Sequence, residues 1–113
     1  MHGKDLIRAG AGDDTVSGDW GADRVYGGGG EDLIMGFSGN DALFGGAADD
    51  LVYGGGGRDA IAAGTGSDLL QGGGRSDTFY ARDGSRDRVR GGLGRDRART
   101  DRFDVRRSIE SSF

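Results

Sequence analysis

The chain has no cysteine, no proline and a single histidine, His2, among its 113 residues. Without cysteine it can form neither disulfides nor thiolate metal sites, so the usual staple of a small secreted domain is missing. One histidine near the start is no ligand set for zinc. Hydrophobic residues are only 34% of the chain. No apolar run approaches the roughly 18 residues of a membrane span, and something besides apolar burial has to hold a fold. Catalytic signatures are missing too: there is no His-Glu-x-x-His, no Gly-x-Ser-x-Gly and no thiol nucleophile. The chain is therefore read as non-enzymatic. Glycine runs at 27–30 and 54–57 lack the Gly-Lys-Ser/Thr that a phosphate loop needs, and tight turns explain them.

The net charge of −4 hides two unlike halves. Residues 1–80 carry 13 acidic and 5 basic side chains, whereas residues 81–113 carry 6 acidic side chains and 10 arginines. The arginines alternate with aspartates, as in Arg86-Asp87-Arg88 and Arg95-Asp96-Arg97. That pattern suits an ion-paired surface, and the acidic half repels phosphate, so nucleic acid is not expected as a partner.

What the chain has in quantity is glycine, 26 residues, and aspartate on a fixed ruler. Asp5, Asp14, Asp23, Asp32, Asp41, Asp50, Asp59, Asp68 and Asp77 stand nine apart; Asp87 follows after ten and Asp96 after nine. Two residues after each comes Ile7, Val16, Val25, Ile34, Leu43, Val52, Ile61, Leu70, Phe79, Val89 or Ala98. So short a period signals a repeat architecture. Within each unit, a glycine-rich stretch suits a turn with positive φ. The three residues after the aspartate are too few for a helix and favour strand. In such a strand the middle residue faces a core and its flanks face out. A turn plus a strand covers half a coil, so two units close one coil and alternate units stack. The register predicts two parallel sheets with all-apolar inner columns, Ile7, Val25, Leu43, Ile61, Phe79 and Ala98 against Val16, Ile34, Val52, Leu70 and Val89.

Stacked strands lie about 4.8 Å apart, which places aspartates 18 residues apart at about that spacing. Two carboxylates there repel by roughly 3.5 kcal/mol at an effective dielectric near 20. A divalent cation between them turns that repulsion into attraction. Hard carboxylate oxygens with no histidine or cysteine beside them suit calcium, which accepts tolerant geometry, better than magnesium or zinc.

The unit Gly-Gly-x-Gly-x-Asp-x-U-x, with U apolar and full copies at 27–35 and 54–62, resembles the repeats-in-toxin (RTX) family of calcium-binding parallel β-rolls. The resemblance runs from residue 3 to about 99. It implies an all-β, right-handed parallel β-roll (a β-solenoid) of about five to six 18-residue coils, residues 1–99, closed by a C-terminal capping segment, residues 100–113. It further implies calcium between successive coils, held by aspartate carboxylates and turn carbonyls. One ladder is then Asp5, Asp23, Asp41, Asp59, Asp77 and Asp96, the other Asp14, Asp32, Asp50, Asp68 and Asp87, with up to about nine ions. The extra residue in 81–86 and the flanks Arg86, Arg88, Arg95 and Arg97 make Asp77, Asp87 and Asp96 the weakest part of this expectation. Ala48 and Arg75 replace the fourth-position glycine, and Asp19, Phe37 and Arg82 the second. Asp13, Glu31 and Asp49 are expected to face solvent and tune charge. Phe103, Val105 and Ile109 are expected to cover the open end.

Family resemblance also implies a module that folds on taking up calcium in an extracellular bacterial protein, exported by a non-classical or type I-like route. The repeat starts almost at Met1, so a common N-terminal leader is not expected. Two other functions stay open. Leu33, Met35, Leu51, Tyr53 and Leu69 would share one outer sheet face, a surface for adhesion, a partner domain or self-assembly. Alternatively, the chain is the tail of a larger secreted hydrolase or toxin. The turn columns are not regular Thr/Asn arrays, which argues against the ice binding seen in some RTX-like solenoids.

Overall fold

The computed structural model describes residues 6–74, 77–80, 87–91, 96–99, 105–107 and 111–112. Among them the apolar triplets form short strands and the glycine-rich stretches between them form turns, with no helix. In chain order the strands are β1 (Leu6–Arg8), β2 (Thr15–Ser17), β3 (Arg24–Tyr26), β4 (Leu33–Met35), β5 (Ala42–Phe44), β6 (Leu51–Gly55), β7 (Ala60–Ala62), β8 (Leu69–Gly73), β9 (Thr78–Tyr80), β10 (Arg88–Arg90), β11 (Arg97–Arg99), β12 (Val105–Arg107) and β13 (Ser111–Ser112). The odd strands make a seven-stranded sheet and the even strands a six-stranded one. Every pairing is parallel. This is the parallel β-solenoid that the nine-residue period predicts.

Register follows the ruler. Val25 pairs with Leu43, Leu43 with Ile61 and Ile61 with Phe79 in the odd sheet. In the even sheet Ile34 pairs with Val52, Val52 with Leu70 and Leu70 with Val89. A slip of one residue would turn each column out to solvent. The inner columns form a single core in which Val25, Ile34, Leu43, Val52, Ile61, Leu70, Phe79 and Val89 are wholly buried. The core is only one side chain deep from each sheet, so hydrogen bonds between coils must carry much of the cohesion.

Among the described residues, each turn from Gly10 to Gly66 is tight because its second and fourth residues adopt positive φ. Gly28 (87°) and Gly30 (89°) show the pattern. Asp19 (64°), Phe37 (66°) and Ala48 (68°) adopt it without being glycine. Those are three of the five substituted positions named above; Arg75 and Arg82 lie outside the described residues. The segment after residue 100 adds one strand to each sheet, β12 alongside β10 and β13 alongside β11. Phe103 and Ile109, expected in the cap, lie outside the described residues.

Candidate metal centre

The turns entering the even strands form one edge of the roll, with Asp14, Asp32, Asp50, Asp68 and Asp87. Those entering the odd strands form the other, with Asp23, Asp41, Asp59, Asp77 and Asp96. We call these the even edge and the odd edge. Asp5, also expected on the odd edge, lies outside the described residues. From Asp23 to Asp77 each carboxylate along the ruler is at most 3% exposed, although none sits in the apolar core. Burying so many acidic side chains is costly unless each is hydrogen-bonded or paired with a cation.

Half of that requirement is met by the backbone. The Asp23 N–H donates to Asp41 Oδ1 at 2.9 Å, Asp32 to Asp50 at 2.8 Å, Asp41 to Asp59 at 2.9 Å and Asp50 to Asp68 at 2.6 Å. From Asp32 to Asp96, each ladder aspartate thus uses one oxygen to clamp the preceding coil. The ten-residue step does not break the pattern. Asp68 N–H donates to Asp87 Oδ1 at 2.7 Å and Asp77 N–H to Asp96 Oδ1 at 2.8 Å, both across 19 residues. The extra residue is absorbed before Asp87, and the stretch expected to be weakest keeps its register.

The other oxygen is what points to a ligand. Oδ2 of Asp14, Asp32, Asp41, Asp50, Asp59 and Asp77 is buried and accepts no hydrogen bond. Beside it stands the first glycine of the same turn, and beside that a carbonyl of the next coil. A Cβ on Gly27 would lie 2.7 Å from Asp32 Oδ2 and 2.6 Å from the Gly45 carbonyl oxygen. On Gly45 it would lie 2.8 Å from Asp50 Oδ2 and 2.6 Å from the Ala63 carbonyl oxygen. Gly36 and Gly54 repeat the arrangement with Asp41 and Asp59. The first glycine therefore serves space rather than positive φ, a role missed when glycine is read only as a turn former. Gly18, Gly27, Gly36, Gly45 and Gly54 also recur every nine residues, which marks the position but not the contact it serves. Ala63 occupies the same position in the Asp68 turn, with its methyl in the core.

The electrostatics of the ladder point the same way. Burial, only partly offset by the backbone hydrogen bond and reinforced by the neighbouring aspartate, raises Asp41 to about 6 and Asp50 to about 6. Asp59 rises to about 8 and Asp77 to about 7, again chiefly from burial. No three acidic or histidine side chains converge among the described residues. A cation here must therefore draw on carboxylate pairs together with backbone carbonyls. Paired carboxylate oxygens without donors, backed by carbonyl oxygens and no nitrogen or sulfur ligand, fit calcium.

Outside the inner ladder a second one runs the opposite way along the chain. Glu31 N–H donates to Asp13 Oδ1 at 2.8 Å and Ser67 N–H to Asp49 Oδ1 at 2.7 Å on the even edge; Arg58 N–H donates to Asn40 Oδ1 at 2.8 Å on the odd edge. Asp13, Glu31 and Asp49 are exposed, as expected, and two of them also bind the next coil.

A family model described as the RTX calcium-binding nonapeptide repeat (4 copies) matches residues 3–34, 35–70 and 63–98. The chain belongs to that family. Neither the curated proteins nor the solved structures gave a match. RTX repeats are structural calcium-binding repeats, and with the parallel β-solenoid they make this chain a calcium-binding structural module. Among the described residues no helix is long and apolar enough to cross a membrane.

Proposed function

We propose that this RTX module is a calcium-triggered folding unit whose ligands are the eleven aspartates of the ruler, with the turn carbonyls. The observation that carries the reading is the row of buried Oδ2 atoms without a donor at Asp14, Asp32, Asp41, Asp50, Asp59 and Asp77. When bound, calcium supplies the positive charge and the oxygen coordination that these atoms lack. The chain's part is to stack carboxylates in register and to keep water out. Without the ion the stacked carboxylates repel, and so thin a core cannot offset the loss of chain entropy. Several sites, each adding a mass-action term, then drive folding together. RTX repeats are typical of secreted bacterial proteins, and a chain that stays unfolded in a low-calcium cytosol and becomes rigid outside suits export.

Circular dichroism during a calcium titration tests this. Expected is a chelated chain with little β signal that turns cooperatively β-rich as calcium is added. A chain equally β-rich in excess chelator overturns it. A second reading, assembly through the even sheet's outer face, is favoured by the unbroken column Leu33, Leu51, Leu69 in paired register. Sedimentation with and without calcium tests it: calcium-dependent dimers support assembly, and a monomer at every concentration rejects it.

A further inference from the structure

The two edges offer the same inner ladder but opposite outer chemistry. On the even edge the fifth turn residues Asp13, Glu31 and Asp49 stand beside the ladder residues Asp14, Asp32 and Asp50 in one open groove. That groove is lined by seven carboxylates and one arginine. On the odd edge the matching groove has Ala22, Asn40 and Arg58 at the fifth position, and its lining carries three carboxylates and two arginines, Arg24 and Arg58. The outer residues are held rather than trailing, because Asp13 and Asp49 accept backbone N–H groups from the next coil and Asn40 does the same on the odd edge. Within the even groove, Oδ2 of Asp32 and Asp50 is buried without a hydrogen-bond donor, and each residue is 3% exposed.

We infer that the even edge is a high-affinity calcium ladder set by Asp13, Glu31 and Asp49, and that the odd edge is a low-affinity one, so the roll loads calcium in two steps. This rests on the calcium reading above and adds an order to it. Backbone geometry is common to both edges, so the difference in affinity comes from the outer charges. A carboxylate about 8 Å from a divalent ion in solvent-like dielectric changes its affinity by roughly fivefold at low salt, and screening shrinks this as salt rises. Two or three such carboxylates on one edge, against Arg58 and Arg24 on the other, separate the classes by about two orders of magnitude at low salt. At intermediate calcium the even edge is filled while the odd edge still repels.

The test is calorimetric calcium titration of the full chain at low salt, with native mass spectrometry for the ion count. Glu31→Gln with Asp49→Asn removes outer charge while keeping the oxygen that accepts the Ser67 N–H. Asn40→Asp with Arg58→Ser makes the converse change on the odd edge. Expected are two affinity classes in the native chain. E31Q/D49N should weaken the tight class at least tenfold and leave the weak one. N40D/R58S should tighten the weak class by a similar factor. One class in the native chain, or a tight class unmoved by E31Q/D49N, overturns the two-step order while leaving the calcium reading intact. No calcium uptake in any variant overturns both. If one double variant fails to fold, the other still reads the opposite edge.

Discussion

The even and odd edges share a backbone plan and differ in which residues stand on its outside. On both, an aspartate at the sixth turn position clamps the previous coil through Oδ1 and leaves Oδ2 inward, as in Asp32 to Asp50 and Asp41 to Asp59. On both, a small first residue makes room beside that oxygen. What the comparison teaches is a division of labour. Geometry resides in positions one, two, four and six of the unit, which hardly vary between edges. Charge resides in position five, which varies from Glu31 and Asp49 to Asn40 and Arg58 without altering the stack.

Neutralising one inner aspartate on each edge should break the comparison most sharply. Asp50→Asn and Asp41→Asn keep an oxygen for the N–H of Asp32 and Asp23, so the hydrogen bond survives and only the charge is lost. Each substitution touches two stacked neighbours, and at saturating calcium each should cost about 3–5 kcal/mol of stability, since a site held at 100 times its dissociation constant contributes about 2.7 kcal/mol. In chelator the sign reverses, because the same change removes a carboxylate that is buried against others of its kind. Denaturant unfolding in both conditions reads this directly. If both variants lose the same amount with and without calcium, the aspartates are structural clamps and nothing more.

Acid should act on the same groups, and the sign can be fixed. The folded pKa values of Asp41, Asp50, Asp59 and Asp77 lie above the ordinary 3.8, at about 6, 6, 8 and 7. Between about pH 4 and pH 8 the calcium-free folded chain therefore binds more protons than the unfolded one, and its stability falls as pH rises. Three of the four groups are on the odd edge, so a chelated chain should gain β signal on going from pH 8 to pH 4.5, with the larger share from that edge. Asp59→Asn should remove more of the gain than Asp50→Asn. With calcium the trend inverts, because the ion needs the ionised form. Circular dichroism at the two pH values, with and without chelator, tests it. A chelated chain that is less ordered in acid contradicts the burial of these carboxylates.

Much of this was legible in the ruler itself. A nine-residue period fixes two sheets, alternate stacking and which side chain of each triplet faces in, because strand period and coil closure leave no other register for Ile34, Val52 and Leu70. The aspartate ladders followed from the same arithmetic. Three things were not legible. The direction of each carboxylate, with Oδ1 to a backbone N–H and Oδ2 inward, depends on turn geometry that no spacing encodes. The first glycine's role depends on contacts between coils. The continuity through Asp87 depends on how the added residue is accommodated between strands that stay in register, which no spacing encodes. In each case the missing information is three-dimensional contact between residues 18 or 19 apart.

The smallest expected effect concerns the positions where the edges depart from glycine. Phe37 on the odd edge and Ala48 on the even edge hold φ near +66° and +68°, a conformation that costs a non-glycine residue roughly 1–2 kcal/mol. Space is also short at the fourth position, where a Cβ on Gly30 or Gly57 would meet the carbonyl of Gly12 or Gly39 in the previous coil. Ala48→Gly should therefore stabilise the calcium-loaded roll by about 1 kcal/mol once the greater freedom of glycine in the unfolded chain is subtracted. Phe37→Gly should gain less, because Phe37 is 46% exposed and its ring still gives up the half of its surface that is covered. Asp19→Gly should gain less, since aspartate tolerates this conformation better and its Oδ1 accepts a 2.7 Å hydrogen bond from Ser17 Oγ. The turns of Phe37 and Ala48 lie on opposite edges, so their gains should add in a double variant. Thermal unfolding in calcium measures all four. A loss at Phe37→Gly would mean that the exposed ring contributes more to the odd edge than its backbone strain removes, and the two edges would then differ in packing as well as in charge.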